Sequence, residues 1–297
     1  MGNFSLQRRR QLLSTAAASL GLAALGAAGQ VLAQAVPAVK PGVKKAVEAG
    51  SANTWRLVIN EAVTGETNNF LLMNRYKSMG DFLASQLKGK AVTVEPIVDI
   101  KRFMSVAQGA AKPELVFGKS VNQLAKLVRN SGYQPIVKRA DPYKAAFIVA
   151  KDSPIKTLAD VASHKIIMPD AWAATSAVAL AELRLQKIPT SLVTHVKFQD
   201  EVAQYLKSGL GQVGVVNPTI AKKWVEEGGR VLAETQPVVN WSLLAAPGVP
   251  PEVVAQLRDA LMSNSAEATA VMASIGVKAW AKAETSDYAQ LLAYTKE

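Results

Sequence analysis

Three short segments of this 297-residue sequence carry side chains suited to holding an anion, and none carries a recognisable nucleophile or metal-ligand set. Thr175 and Ser176 stand together in Ala173-Ala174-Thr175-Ser176-Ala177, between an apolar run at 165–168 and an alanine-rich helical stretch. Two hydroxyls beside the free N–H groups of a helix start suit an oxyanion. They suit a plain helix cap as well, and both readings stay open at this point. Phe117-Gly118-Lys119-Ser120 forms a second corner. There Gly118 lets the backbone approach a ligand and Ser120 can cap the following helix, while Lys119 either supplies charge or is an exposed turn lysine. The third corner is Val216-Asn217-Pro218-Thr219, where the Asn217 amide can both donate and accept. Trp172, just upstream of the first corner, is a lid over it or a packing residue.

Much other chemistry is excluded. The absence of cysteine removes disulfides, thiol nucleophiles, zinc–thiolate sites and a lipoprotein anchor. His164 and His195 are the only histidines, and neither has a partner at metal-ligand spacing. No Gly-x-Ser-x-Gly elbow, Walker loop or dinucleotide fingerprint occurs. Gly209-Leu210-Gly211-Gln212-Val213-Gly214 has glycines enough for a phosphate loop, but it precedes a strand instead of following one. Glu226-Glu227 sit before Gly228-Gly229 and read as a solvated helix end. The expectation is a binding protein without catalytic residues, metal or cofactor.

The elements that must position the three corners are short apolar runs alternating with helical patterns. Strands are expected at 56–60, 91–97, 114–117, 145–150, 165–168, 193–197, 213–216 and 230–233. Between them, Met79, Phe82, Leu83 and Leu87 share one helical face, as do Val121, Leu124, Ala125 and Val128. Asp99 reads as the cap of a helix ended by Gly109, and Thr219 as the cap of one stopped by Gly228-Gly229. Thr157-Leu158-Ala159-Asp160 reads as a capping box. This alternation argues an α/β chain with largely parallel sheets. In such sheets ligands lie outside the carboxyl ends of the strands, where all three corners fall.

The stretch Tyr143-Lys144-Ala145-Ala146-Phe147-Ile148-Val149-Ala150-Lys151-Asp152-Ser153-Pro154-Ile155-Lys156-Thr157-Leu158-Ala159-Asp160 resembles the interdomain crossover of the phosphate/phosphonate-type periplasmic binding proteins. Tyr76-Lys77-Ser78-Met79-Gly80-Asp81-Phe82-Leu83-Ala84-Ser85-Gln86-Leu87 looks like that family's first helix, and Glu114-Leu115-Val116-Phe117-Gly118 like its second ligand-facing strand end. Gln212-Val213-Gly214-Val215-Val216-Asn217 looks like the strand end of its second lobe. Residues 238–261, with Pro247, Pro250 and Pro251, look like its return crossover, so the resemblance covers roughly 55–292. It implies a two-lobed type 2 periplasmic binding protein fold, each lobe a mainly parallel sheet flanked by helices and joined by a two-strand hinge. By the same resemblance lobe one is 54–145 plus 239–297, lobe two is 146–238, and the ligand sits between them. Thr175-Ser176 match the middle of the family's Ser-Thr-Ser-Gly turn, though Ala174 and Ala177 replace its ends. Asn217 stands where the family often has an acid, and Gln199 where it has a histidine. Arg75, Tyr76 and Tyr143 are further candidates from lobe one and the hinge. Gly118, Lys119, Ser120, Thr175, Ser176 and Asn217 complete the expected ligand-binding set.

Residues 1–35 read as an export signal to be set apart from the fold. Arg8, Arg9 and Arg10 precede a modestly apolar stretch at 12–32, and Ala33-Gln34-Ala35 offers a cleavage site after Ala35. Arg9-Arg10-Gln11-Leu12-Leu13 resembles the twin-arginine motif. Residues 36–53, with Pro37, Pro41, Gly42, Gly50 and Ser51, read as a flexible lead-in. Removing the signal's three arginines from the net charge of +11 leaves a surplus of 8 on the rest. That surplus serves solubility, or draws anions toward a cleft. No basic run with interleaved aromatics follows residue 35, which argues against nucleic acid. The expectation is a monomeric periplasmic protein that captures a small anion, such as phosphate or a phosphonate, for an ABC-type permease. A sensor kinase as partner, or an accessory role beside an exported redox enzyme, are the alternatives.

Overall fold

The computed structural model describes residues 53–65 and 68–297. The expected export signal, its cleavage site and all of the lead-in but Asn53 lie outside the described residues. Two mixed sheets, each flanked by helices, form two lobes. The first contains β1 (Thr54–Asn60), β2 (Ala91–Pro96), β3 (Leu115–Gly118), β4 (Gln134–Arg139), β10 (Ser242–Ala245) and β11 (Trp280–Lys282), in the order β11-β4-β10-β3-β1-β2. The second contains β5 (Ala146–Val149), β6 (Ile166–Met168), β7 (Val193–His195), β8 (Val213–Val216) and β9 (Arg230–Glu234), in the order β7-β6-β8-β5-β9. The helices of lobe one are α1 (Asn69–Gln86), α2 (Ile100–Gln108), α3 (Val121–Ser131), α7 (Pro251–Leu261), α8 (Ala266–Ser274) and α9 (Thr285–Thr295). Lobe two carries α4 (Ala174–Leu185), α5 (Gln199–Lys207) and α6 (Pro218–Glu226).

Burial follows the sequence pattern closely. The short unbroken apolar runs of β3, β5, β8 and β10 are buried at every residue and lie inside the sheets. The alternating run of β2 lies at an edge. A run too short for a helix and apolar on both faces can satisfy itself only between two other strands.

The expectation of mainly parallel sheets needs correction. β1 pairs in parallel with β2 and β3, and β6 with β7 and β8, but the other pairings in both sheets are antiparallel. For β5 and β10, the hinge supplies the reason. A strand that enters a lobe from the hinge starts at the edge where the parallel strands end, so it must run against them. β5 enters lobe two this way and inserts between β8 and β9; β10 re-enters lobe one and inserts between β3 and β4. The two crossovers are tied by a pair of backbone bonds between Tyr143 and Val238, each 2.9 Å.

Local signals place the helix starts that matter for the site. Asp99 caps α2 through the Arg102 N–H at 2.7 Å. Thr219 does not cap α6: Asn217 does, accepting from the Ile220 N–H at 3.0 Å, because Pro218 already fixes the first helical residue. Thr157-Leu158-Ala159-Asp160 opens a 3-10 helix, Leu158–Ser163, with the Asp160 carboxylate accepting from the Thr157 N–H. At the other end of α6, Gly228 takes φ +92° and a Cβ on Gly229 would overlap the Trp224 indole. That indole donates to the Val149 carbonyl at 2.8 Å and pins α6 to β5. Gly229→Ala should therefore lower the unfolding free energy by about 1–3 kcal/mol, read in a urea titration, by overpacking that corner.

Candidate functional site

The strand ends and helix starts meet in one interlobe cleft of about 310 Å³. Lobe one contributes Glu61 and Thr64 just after β1, Lys119 after β3, Arg139 and Asp141 at and after β4, and Trp241 before β10. Lobe two contributes Thr175, Gln199, Asp200, Asn217 and Thr219, all within the cap or first turn of α4, α5 or α6, and Tyr143 enters from the hinge. Three helix N-termini thus face the cleft, each with a partial positive charge. The cap position of α4 is Ala173, whose methyl cannot cap, so no cap side chain occupies its first amides.

The lobe-one wall is built around Glu61. Its carboxylate is 4% exposed and accepts from the Tyr76 hydroxyl at 2.6 Å and the Arg75 guanidinium at 3.0 Å, and pairs with Lys119 at 3.1 Å. Burial alone would push this carboxyl up, but Lys119, Tyr76 and Arg75 together hold it below the ordinary glutamate range. Burial lowers the Lys119 ammonium, with Glu61 opposing that shift. Lys119 lies 3.9 Å from the centre of the Trp241 ring and Arg139 lies 4.6 Å from it. The turn that carries Glu61 inward is strained: Ala62 adopts φ +58°, its N–H held by the Asn60 side chain at 3.0 Å. The Thr64 hydroxyl, four residues beyond β1, is buried at the cleft with no hydrogen-bond partner among the described residues.

The opposite wall is a hydrogen-bond chain across the hinge. The Tyr143 and Thr175 hydroxyls meet at 2.6 Å, the Gln199 amide donates to Thr175 at 2.7 Å, and the Asn217 N–H donates to Gln199 at 2.9 Å. Proton counting leaves one donor of this chain over. Tyr143 and Thr175 own two hydroxyl protons, and their mutual bond uses one. The other remains for an acceptor in the cleft. Burial pushes the Tyr143 hydroxyl up to about 12, so it stays a neutral donor.

Of the residues expected from the sequence, Lys119, Tyr143, Thr175 and Asn217 line the cleft. Ser176 turns away and donates to the Pro169 carbonyl at 2.9 Å. Tyr76 lies behind Glu61, which it supports. The Ser120 hydroxyl is buried with no partner among the described residues and makes no cap bond, and Gly118 pairs with Ser242 inside the sheet. Sequence reasoning missed Glu61, Thr64, Arg139, Asp141, Asp200 and Trp241. Glu61 could have been found, since it directly follows an expected strand. Arg139 could not, because Pro135 hides β4 from a strand pattern.

Two compact α/β lobes, joined by paired crossovers and closing on a cleft fed by strand ends and helix starts, define a type 2 periplasmic binding protein. The sequence profile described as "ABC transporter, phosphonate, periplasmic substrate-binding protein" matches residues 67–288. The chain belongs to this family of periplasmic substrate-binding components of ABC transporters. No curated protein sequence matches it significantly. Among solved structures it is similar to XAC2383 from Xanthomonas citri bound to chloride ion, at TM-score 0.68 and 15% identity over 81% of this chain and 97% of that one. PhnD1 from Prochlorococcus marinus in complex with methylphosphonate gives TM-score 0.66 and 13% identity, over 82% and 97%. The phosphonate-transporter binding component PA3383 from Pseudomonas aeruginosa gives 0.63 and 12%, over 82% and 87%. At these identities the likeness establishes the fold. No helix among the described residues is long and apolar enough to cross a membrane.

Proposed function

We propose that the chain captures a small organic solute with an anionic head group, a phosphonate, phosphate or related oxyanion, and passes it to an ABC permease. The lobes that close on it are 54–145 with 239–297, and 146–238. The mature protein starts after Ala35, acts in the periplasm as a monomer, and uses Thr175, Tyr143, Lys119 and Asn217 at the ligand. The observation that carries this reading is the convergence of three lobe-two helix N-termini and the unspent Tyr143–Thr175 proton on one cleft. The methylphosphonate in the PhnD1 complex and the ATP in another XAC2383 complex are precedents for phosphorus oxyanions on this fold.

The charge balance of the cleft narrows the ligand further. Lys119 and Arg139 face Glu61, Asp141 and Asp200, so the lining is no cationic funnel. The Arg139 Nε is itself held by Asp141 at 2.6 Å. Recognition then falls to oriented neutral donors, which favours one head group of low charge on an organic body. A volume of about 310 Å³ stands at the lower end of small-molecule sites, which span roughly 300–1,000 Å³, and exceeds what a bare oxyanion fills.

A melting assay against phosphate, phosphite, alkyl- and aminoalkylphosphonates, sulfonates and carboxylates tests the reading. A compound at 100 times its dissociation constant should stabilise the protein by about 2.7 kcal/mol. Phosphonates are expected to outrank phosphate. A panel in which nothing shifts the transition would end the proposal.

A further inference from the structure

The loop before α4 grips lobe one through Trp172, which is not among the cleft-lining residues. The Trp172 carbonyl accepts from the Gln123 amide at 2.9 Å and the Asn122 amide at 3.3 Å, both at the start of α3. Its indole lies 5.6 Å from the Lys101 ammonium on α2 and 6.0 Å from Lys126 on α3. Each cation therefore reaches the ring from lobe one, within the range of a cation–π attraction. The loop is set for this contact: Asp170 accepts from the Trp172 N–H at 2.7 Å through its carboxylate and from the Ala173 N–H at 2.9 Å through its carbonyl. Trp172 is 38% exposed, so most of its surface is taken from water at this seam and adds to the hold of the two lysines.

We infer that Trp172 is a cross-lobe latch, which holds the lobes closed and so sets how tightly any ligand is retained without touching it. The inference rests on the two-lobe, cleft-binding reading above. The same seam carries an opposing cost. The Asn122 and Gln123 side-chain carbonyls are buried beside it with no hydrogen-bond partner among the described residues. Opening returns these acceptors to water, and closing strips them. A latch set against a desolvation cost leaves the two states close in free energy, so a modest ligand contribution decides between them.

The chain has no cysteine, so labels can be placed freely. Lys88→Cys on lobe one and Lys222→Cys on lobe two carry spin labels for distance measurement in the ligand-free protein. The expected result is a resolved short-distance population in the otherwise unaltered chain. Trp172→Ala should reduce it at least fivefold, and Trp172→Phe, which keeps a ring, should restore most of it. Melting temperatures of the three proteins are compared, so that a misfolded variant is recognised. Identical distance distributions in the folded Trp172→Ala and parent proteins, or no short-distance population in the parent, would overturn the latch. The outcome is separable from the solute panel: a latch that opens on mutation stands even if no tested compound binds, and an inert Trp172 fails even if one does.

Discussion

Glu61→Ala is expected to lower the unfolding free energy by about 3–5 kcal/mol, the usual result of removing one partner from a buried ion pair. The change strips Lys119 of its counter-ion while the ammonium stays almost wholly enclosed, 12% exposed, with Arg75 and Arg139 still nearby. It also leaves the Tyr76 hydroxyl, fully buried, without an acceptor. Glu61→Gln keeps an oxygen for Tyr76 and should lose less. The pH dependence follows from the direction of the shift. The folded carboxyl titrates below its unfolded value, so the unfolded chain takes up its proton first as pH falls. The stabilisation is complete above the ordinary glutamate value, about 4.3, and disappears as pH drops through the lowered folded value. Urea titrations from pH 3 to 7 should show this acid-side slope in the parent and a reduced one in Glu61→Gln. A Glu61→Ala protein as stable as the parent would mean that Lys119 escapes to solvent and the wall is not a unit.

Affinity should respond to the Tyr143–Thr175 pair in a strongly non-additive way. Tyr143→Phe leaves the Thr175 proton unspent, and Thr175→Val leaves that of Tyr143; either single variant keeps one donor for the ligand. The double variant has none. A hydrogen bond to a charged group contributes about 1.5–3 kcal/mol, so the double should lose about one to two decades of affinity, well beyond the sum of the singles. Stability sorts differently. Thr175→Val strands the Gln199 amide, whose other end holds the Asn217 N–H, and should cost about 1–3 kcal/mol. Tyr143→Phe should cost less. Calorimetry with whichever compound shifts the melt most, beside a melt of each variant, gives both columns. Ser176→Ala, whose hydroxyl serves Pro169, should leave affinity unchanged. Additive losses in the cycle would mean that the two hydroxyls bind independently.

Much of the fold was legible because apolar period and caps are local. The runs at β3, β5 and β8 announce central strands, and Asp99 and Gly109 bracket α2 as read. What was not legible is long-range. Nothing near Ser242–Ala245 states that this run inserts between β3 and β4 in reverse; the hinge decides it. In the site, the helix-start rule found Thr175 and Asn217, because a cap position is a local property. It also proposed Ser176 for the ligand, yet neighbours on a helix point about 100° apart, and only one of the two can face the cleft. Glu61 was passed over because a single acid after a strand is ordinary until Arg75, Tyr76 and Lys119 surround it.

The reversed strand β10 has a consequence for synthesis. Ser242 pairs with Gly118, and all of lobe two is translated between them. At about 5–20 residues per second, the facing edges of β3 and β4 wait roughly 5–20 s for the strand that joins them. Lobe two has no such gap, since β5 to β9 are consecutive, and it can close while lobe one is still open. During that interval Leu115-Val116-Phe117 presents an apolar ribbon with one hydrogen-bonding edge unclaimed. An unpaired apolar edge of this kind is a place where incompletely folded chains associate.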